Sequence, residues 1–555
     1  MSFFKKIYFA LTKKERLGFL VCSAIAGASF VVIMGILIAQ ATTAIPTQGG
    51  NYAEGMLGQP EYVNPVTAQS EIDLALVKLI YQNVDDVADN ISASPDGLTW
   101  TVHLKDGVTW QDGQQLTSDD IIFTVQSIQN QGANSPLAAS WQGVTVNRVS
   151  ELELTFTLSN PYAFFGDNLA NLYIVPKHIF ADVPVGNWRL SDYNLRPIGS
   201  GPYKFVSYGE QQDGFISSYQ LVTWNGYSGN QPLIPNLAVN FYPNSTSLIN
   251  AFNAGAIDGF GGVTSDELTS IERPYDVVAW PTPSYYAVFF NTSKNLALQD
   301  NLVREALSLA VDRDALVSNT LGSYGSTDYG PIPPSAKYYS PTAASANAST
   351  TPSSISAASA LLQQDGWVAA SSSAFRAKTI GKTSIPLEIN LTVPDISFLI
   401  ATAQTLQADW QSIGVATTIA TDTPANIVSN DITNRAYESL LFGNVLGPSS
   451  DLYSFWDSSQ RFPPGLNLAI YDNPNVDRLI ENARENLSDA SRTIEYATAQ
   501  TDIINDNPAI FLYSPDYLYV SDKSIQGISP SLLVDPSDLS RAIPNWYLNT
   551  ARVLK

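Results

Sequence analysis

Cysteine and histidine, on which much enzyme chemistry depends, are almost missing from this 555-residue chain. Its one cysteine is Cys22, and its two histidines are His103 and His178. So small a set argues strongly against a zinc site of histidine and cysteine ligands and leaves no disulfide in the body of the protein. A Ser-His-Asp triad would need one of the two histidines, and no Gly-x-Ser-x-Gly turn is present. We therefore expect both histidines to be structural or solvated, and we predict no metal and no cofactor.

Charge is also scarce, and basic charge is scarcer than acidic charge. Only 14% of the residues are charged, against about 25% in an average protein. Lysine and arginine number 29 and aspartate and glutamate 51, which gives a net charge of −22. This balance argues against nucleic-acid binding, because neutralising phosphates requires clusters of lysine and arginine. Apolar residues make up 45% of the chain, enough for packed cores in roughly two to four compact units.

An apolar run without any charge, Leu17 to Ala39, predicts a membrane-spanning helix. Its 23 residues would reach about 35 Å as a helix, and the hydrocarbon core of a bilayer is about 30 Å thick. Basic residues precede it and none follows closely, so the positive-inside rule places residue 42 onward outside the cell. A cleaved signal peptide is the alternative, since Ala39-Gln40-Ala41 fits a small-x-small cleavage site. Signal peptides usually have only about 7–15 apolar residues, which favours the anchor.

This interpretation divides the first part of the chain into three segments. They are a basic cytoplasmic tail over residues 1–16, a transmembrane anchor over 17–41 and a flexible linker over 42–51. Pro46 and Gly49-Gly50 suggest the linker. We expect a single-pass protein of the cell membrane, with its body on the extracytoplasmic side.

The body alternates strand and helix patterns, which predicts an α/β fold with mixed sheets. Apolar and polar residues alternate from Trp100 to Leu104 and from Glu151 to Leu158, as in half-buried strands. Between them, Thr117 followed by Asp120 predicts a helix start with a capping box. Asp300 likewise predicts the cap of a helix whose apolar residues recur at helical spacing.

Five segments in fixed order resemble one known family. The longest, residues 94–121, reads SPDGLTWTVHLKDGVTWQDGQQLTSDDI. The others are PIGSGPY at 197–203, the helix pattern that follows Asp300, LL with GW at 361–367, and a C-terminal stretch from NP at 473–474 to PAIFLY at 508–513. Together they resemble the extracellular solute-binding proteins of peptide-class ABC importers, solute-binding protein family 5. The resemblance covers nearly all of residues 50–555.

The resemblance implies a two-lobed periplasmic-binding-protein clamp of type II, cluster C, with an extra subdomain in lobe I. Such a clamp closes over its ligand by a hinge motion. Lobe I would comprise residues 52–82, 179–283 and 519–555, the inserted subdomain 83–178, and lobe II 284–518. The two crossings between the lobes would lie at 284–286 and 517–521.

The resemblance also implies where a ligand binds. In this family the main contacts come from the strand and turn near residues 441–451, where an aspartate commonly pairs with the peptide's α-ammonium. That position aligns with Leu446, so the ammonium anchor is missing. Asp451 is the nearest acid, and a role as a helix cap is favoured for it. The candidate ligand-binding residues are Glu61, Trp141, Tyr285, Tyr286, Gly443, Asn444, Leu446 and Asp451.

The function that these features imply is capture of a peptide or peptide-like solute outside the cell and its delivery to an ABC permease. We expect a monomer without catalytic activity. Two alternatives keep a ligand in the same cleft: a receptor for an oligosaccharide or other solute, and an anchored glycan hydrolase that uses paired carboxylates. A third is a sensor or scaffold that kept the clamp without transport.

Overall fold

The computed structural model describes residues 12–343, 354–369 and 375–554. Most of the predicted basic tail, residues 1–11, lies outside the described residues. The first described element is the helix Lys13–Ala41, which covers the predicted anchor and is long and apolar enough to cross a membrane. None of its described side chains is buried against the rest of the protein.

The described strands are numbered along the chain. They are β1 (Thr42–Thr47), β2 (Asn51–Leu57), β3 (Ala88–Ala93), β4 (Thr99–Leu104), β5 (Thr145–Ser150), β6 (Glu153–Thr157), β7 (Tyr203–Glu210), β8 (Ile216–Thr223), β9 (Asn236–Tyr242), β10 (Gly259–Gly261), β11 (Tyr275–Pro281), β12 (Ser284–Phe290), β13 (Gly325–Thr327), β14 (Val368–Ala369), β15 (Arg376–Ile380), β16 (Thr383–Pro386), β17 (Glu388–Pro394), β18 (Ala416–Asp422), β19 (Ser439–Val445), β20 (Ala509–Asp522) and β21 (Asn549–Leu554).

The longer helices of the body pack on these sheets. They are Glu71–Ile80, Ser118–Gln129, Ser245–Asn253, Asn301–Leu309, Arg313–Leu321, Ile355–Gln364, Ser397–Ser412, Pro474–Glu485 and Asp489–Asp506. The capping box of Thr117 and Asp120 is confirmed, as is the cap of Asp300, whose side chain accepts a hydrogen bond from the Leu302 amide at 3.1 Å. These local signals predicted helix starts correctly because a cap needs only residues within one turn.

The predicted linker is wrong for residues Thr42–Thr47, because this segment is strand β1. It pairs antiparallel with β21 along its whole length, from Thr42 opposite Leu554 to Thr47 opposite Asn549. Its threonine and isoleucine side chains suit a strand, and the proline lies in a two-stranded ribbon where a missing donor is tolerated. The apolar helix therefore runs directly into paired structure.

Strand β20, 14 residues long, belongs to both lobes of the molecule. Up to Pro515 it pairs with β12 and β13, and from Asp516 onward it pairs with β10 and β11. The order of strands on one side is β20-β10-β2-β9-β8-β7, and on the other it is β20-β12-β19-β17-β18. The two lobes are thus halves of one continuous twelve-stranded sheet.

The chain crosses between the lobes at two neighbouring points. One is the link from β11 to β12 at Thr282-Pro283, and the other is the middle of β20 at Pro515-Asp516. The Thr282 hydroxyl donates to the carbonyl of Pro515 at 2.8 Å, so the two crossings are tied together. They lie slightly before the crossings that the resemblance implied.

A separate antiparallel sheet, in the order β3-β4-β6-β5, forms the subdomain. Its core packs Trp141 against Phe156 and Phe165, with ring centroids 5.6–5.7 Å apart. The strand predicted over Glu151–Leu158 is shorter, Glu153–Thr157, because the preceding residues form the turn that joins β5 to β6.

The glycine-rich segment at 199–201 presses against the end of the helix Glu71–Ile80. A Cβ at Gly199 would lie 1.9 Å from the backbone oxygen of Ile80, and one at Gly201 would lie 2.7 Å from its carbonyl carbon. The Gly201 amide donates to that same Ile80 oxygen at 2.7 Å. The Gln111 side chain completes the junction by donating to the Tyr203 carbonyl at 2.8 Å. Only residues without a side chain allow these backbones to approach so closely.

The subdomain also touches lobe II through a turn around Phe164. Phe164 is 3% exposed, and its ring lies 6.4 Å from those of Tyr338 and Tyr496. The neighbouring Ala163 amide donates to the Arg484 carbonyl at 2.6 Å. This contact joins two parts of the molecule that the sheet pairings leave unconnected.

Candidate functional site

The carboxyl ends of the parallel strands in both lobes open onto one cleft. In lobe I, β2 runs parallel to β9 and β10, and in lobe II, β17 runs parallel to β18 and β19. Residues at these ends line the cavities between the lobes, including Leu57 and Gly261 on one side and Pro394 and Val445 on the other. In open α/β sheets, ligands bind at the carboxyl ends of the strands.

The larger cavity, which we term the apolar chamber, has a volume of about 400 Å³. Its walls are mainly aliphatic and aromatic, and they come from both lobes and both crossings. It is lined by Thr282, Ser284, Tyr286, Pro394, Ile396, Leu399, Pro424, Phe442, Gly443, Asn444, Val445, Pro515, Asp516, Tyr517, Leu533, Val534 and Pro536. A mostly apolar cavity with a few polar groups is the usual form of a ligand site.

A smaller cavity, the acidic chamber, has a volume of about 150 Å³ and lies on the lobe I side. Tyr517 and Pro536 line both chambers, so the two adjoin. Its distinctive lining groups are the carboxyls of Glu54 and Glu71, with Ser540 beside them. The cleft therefore combines an apolar part with an acidic part.

Glu54 is a buried carboxyl, 5% exposed, in the middle of β2. Its Oε2 accepts hydrogen bonds from the hydroxyls of Tyr52 at 2.7 Å and Tyr519 at 2.6 Å, and those two hydroxyls contact each other closely. Burial raises the pKa of Glu54 to about 7, against the lowering effect of the two hydroxyls. Among the described residues no cation pairs with it.

Three of the predicted site residues lie together at the apolar chamber. Tyr286 and Gly443 face each other as partners across β12 and β19, and Asn444 follows. The Tyr286 ring packs between two others, with ring centroids 5.3 Å from that of Phe398 and 5.7 Å from that of Tyr513. Burial raises the pKa of Tyr286, which therefore offers a neutral hydroxyl to a ligand.

Tyr285 points to the opposite face of β12 and is fully buried. Its hydroxyl accepts hydrogen bonds from Asn444 Nδ2 at 2.8 Å and Trp456 Nε1 at 3.0 Å. It therefore stands behind the chamber wall. Asn444, its partner across the two strands, is 4% exposed and turns its side chain to the same face, so it borders the chamber with its backbone. Direct contact with a ligand, as the sequence predicts for it, is not supported by this geometry.

The remaining predicted residues do not line either chamber. Trp141 is 1% exposed in the core of the subdomain, and Leu446 is fully buried in lobe II. Glu61 lies in an exposed turn, where its amide donates to Asp73 Oδ1 at 2.8 Å. Asp451 accepts from the Tyr453 amide at 3.0 Å and pairs with Arg484 at 3.0 Å, which fits the favoured capping role. For Trp141, a large aromatic side chain suits a core as readily as a ligand site.

Sequence reasoning missed Glu54, Glu71 and the loop at Leu533–Pro536. The loop comes from a distant part of the chain, and no local pattern marks it. Glu54 did carry a signal, because an acid within a strand of buried residues is unusual and indicates a special environment.

One edge of β19 is open where it borders the apolar chamber. Along its other edge β19 pairs with β12 over its full length, from Ser439 to Val445. On the open side, β17 pairs only with Ser439 and Leu440, and the described residues supply no partner strand beyond them. The backbone groups from Leu441 to Val445 can therefore accept an added strand.

The two histidines lie away from both chambers. His103 is exposed on β4, and His178 Nε2 lies 2.7 Å from Asp112 Oδ2 in the subdomain. Within the described ranges, no three histidine, cysteine, aspartate or glutamate side chains gather as a metal site would require.

Comparison with known proteins gives consistent matches. Residues 82–462 match the profile of "Bacterial extracellular solute-binding proteins, family 5 Middle". The oligopeptide-binding protein AppA of Bacillus subtilis is 25% identical over 509 residues, which span 87% of this chain and 89% of AppA. The solved structure of AppA in complex with a nonapeptide is similar with a TM-score of 0.66, covering 91% of this chain and all of that one, at 24% identity. The ABC transporter substrate-binding protein CtaP of Listeria monocytogenes is similar with a TM-score of 0.75 and 25% identity, over 90% of this chain and all of that one.

Proposed function

Because the chain belongs to the bacterial extracellular solute-binding proteins of family 5, we propose that it captures peptides outside the cell and delivers them to an ABC importer. The observation that carries this proposal is the open edge of β19 beside a cavity between two lobes. A peptide can add to that edge as a strand, with main-chain hydrogen bonds giving affinity and the chamber taking a side chain. The names of its relatives, an oligopeptide-binding protein among them, support peptide as the cargo.

In this proposal Tyr286, Gly443 and Asn444 form the ligand-binding surface of lobe II. The lobes follow the division implied by the resemblance except at the second crossing, which is placed at Pro515-Asp516, and the hinge lies at the paired crossings near Thr282 and Pro515. The protein holds its cargo and performs no covalent step, and the neighbouring permease with its ATPase supplies the transport. It acts as a monomer, since one chain supplies both walls of the cleft.

Gly443→Val is expected to weaken peptide binding at least about tenfold while the protein stays folded. A Cβ at position 443 would lie 2.8 Å from Cε1 of the Tyr286 ring, which Phe398 and Tyr513 hold in place. The added side chain would therefore obstruct the chamber at the open edge. Isothermal titration calorimetry of the full-length chain in detergent with a mixed nonapeptide library measures the effect.

Gly186→Val is the matched control, because it lies outside segment 441–451 and both cavity linings, and a Cβ there would meet only the Gly132 oxygen at 3.8 Å, an ordinary contact. It should bind the library as the wild type does. If Gly443→Val bound the peptide library as tightly as the control variant and the wild type do, peptides would not lie along β19. Heat from oligosaccharides and none from peptides would keep the receptor and change its cargo.

The helix Lys13–Ala41 is proposed to remain attached as a membrane anchor. Its long apolar run supports this, and a cleaved signal peptide is the competing possibility. Mass spectrometry of the protein recovered from the membrane fraction of the native cell should give the intact mass, with peptides that contain Cys22. A new amino terminus at Thr42 would contradict the anchor.

A further inference from the structure

The acidic chamber has no role in the strand-addition mode of binding, yet it adjoins the site where that strand would lie. Tyr517 and Pro536 form the boundary between it and the apolar chamber. A ligand on the open edge of β19 therefore has a second space to enter on the lobe I side. The chemistry of that space indicates which group enters.

Glu54 is a buried carboxyl that has no cation beside it among the described residues. Glu54 is only 5% exposed, and its Oε2 accepts both of its hydrogen bonds. The tyrosine hydroxyls supply dipoles but no positive charge. A buried carboxylate without a cation is costly, and a cation placed beside it restores the ionised form.

The cations around the chamber pair with other carboxylates and not with Glu54. Glu71 adds a second carboxyl to the lining. Desolvation and Asp535 raise its pKa, and the charge of Lys78 lowers it in part. The ion pairs of Lys78 are with Asp538 at 2.6 Å and Asp535 at 3.9 Å, and not with Glu54.

Nη2 of Arg273 lies 2.7 Å from Oδ2 of Asp522 and 3.8 Å from Oδ1 of Asp258. Each of these two cations is thus shared between two aspartates. Counting Glu54 and Glu71, the groups around the chamber carry more negative than positive charge.

In lobe II, no free carboxylate lies at the place where the resemblance implies a partner for the peptide's ammonium. The position at which a carboxylate was expected to meet the peptide's ammonium is Leu446, and it is fully buried. Asp451, the nearest acid, is already paired with Arg484. Apart from Asp516 at the second crossing, which lines the apolar chamber, the carboxylates that an ammonium group would meet in the two chambers are Glu54 and Glu71 of lobe I.

Resting on the proposed function, we propose that the acidic chamber is a cation subsite, in which Glu54 receives an ammonium group of the bound peptide. The ammonium would stand beside Glu54 Oε1, with Glu71 at the same cavity, and the adjoining residue of the peptide would place its side chain in the apolar chamber. The group is either the α-ammonium or that of a lysine side chain, which share the same chemistry. The preferred cargo is a peptide with a positive charge next to a large apolar residue.

The test uses the full-length chain in detergent and three mixed nonapeptide libraries. One has free amino termini, one is N-acetylated and lacks lysine and arginine, and one is N-acetylated but contains lysine. Wild type should bind the first library at least about tenfold more tightly than the second, since a charged hydrogen bond is lost on acetylation. Recovery of affinity with the third would identify lysine as the source of the ammonium, and no recovery would identify the amino terminus.

Glu54→Gln provides the second arm. The amide keeps an acceptor for Tyr52 and Tyr519 but removes the charge, so affinity for the free library should fall at least about tenfold. Affinity for the acetylated, lysine-free library should stay unchanged. Glu210→Gln, which alters an exposed acid at the end of β7, should change neither.

The outcomes separate this inference from the proposed function. Absence of binding by all three libraries would overturn the proposed function itself. Equal binding of all three, or equal loss for both free and acetylated libraries in Glu54→Gln, would overturn the cation subsite while leaving peptide capture intact.

Discussion

Gly199→Ala is expected to lower the free energy of unfolding by about 3 kcal/mol or more, a large part of the stability of a typical protein. The new Cβ would lie 1.9 Å from the Ile80 oxygen and 2.6 Å from its carbonyl carbon. Both are backbone atoms, so no side-chain rotation can relieve the overlap. Moving that backbone would also break the hydrogen bond from the Gly201 amide to Ile80.

The same change would disturb the Gln111 junction. Gln111 donates its backbone amide to the Gly199 carbonyl at 2.8 Å and accepts from the Gly199 amide at 3.2 Å. Gln111 is buried and links the subdomain to lobe I. Displacing Gly199 would therefore leave several buried polar groups unpaired. Urea denaturation followed by tryptophan fluorescence measures the loss.

Gly166→Ala is the control for a glycine-to-alanine change in the same subdomain. Gly166 lies in the short helix Phe165–Ala170, and a Cβ there would have no neighbour within 4 Å. Alanine should therefore stabilise the protein by about 0.5–1 kcal/mol. An unfolding midpoint for Gly199→Ala that equals the wild type would refute the close approach to Ile80.

Phe164→Ala is expected to shift the clamp toward an open state and to speed peptide release at least about tenfold. Phe164 is attached to the subdomain, but its ring is buried against Tyr338 and Tyr496 of lobe II. Separating lobe II from the subdomain would expose it. Removing a buried phenylalanine ring typically costs about 3–5 kcal/mol, and part of that cost falls on the closed arrangement.

Two measurements check this expectation. Small-angle X-ray scattering should show a larger radius of gyration for Phe164→Ala in the absence of peptide, and stopped-flow experiments should show faster dissociation. Phe462→Ala removes the same ring from a site where it is 64% exposed, and should alter neither. Unchanged release in Phe164→Ala would mean that this contact persists when the lobes move.

The parts of the fold that depend on neighbouring residues were predictable, and those that depend on distant pairing were not. Thr117 with Asp120 and the cap at Asp300 are complete within one helical turn. Strand β1 has the composition of a flexible linker, and its partner, β21, lies about 500 residues further along. No periodicity in Thr42–Thr47 could reveal that pairing.

The candidate site divides in the same way. Tyr286, Gly443 and Asn444 came from segments that resemble the family, and they line one wall of the apolar chamber. The opposite wall is built by Leu533 and Pro536, which only the folded chain brings near. Trp141 lies in the core of the subdomain because a large aromatic residue suits a core and a ligand pocket equally well. Leu446, a candidate because it aligns with the family's aspartate, is buried in lobe II because leucine at that position packs into the core.

The shared strand β20 also has a consequence for how the protein folds. Both lobes need it, β10 and β11 on one side and β12 and β13 on the other. It begins at Ala509, so neither half of the sheet can be completed until more than 500 residues have been synthesised. Contacts so distant in sequence make folding slow, and the exposed sheet edges are prone to aggregation in the meantime.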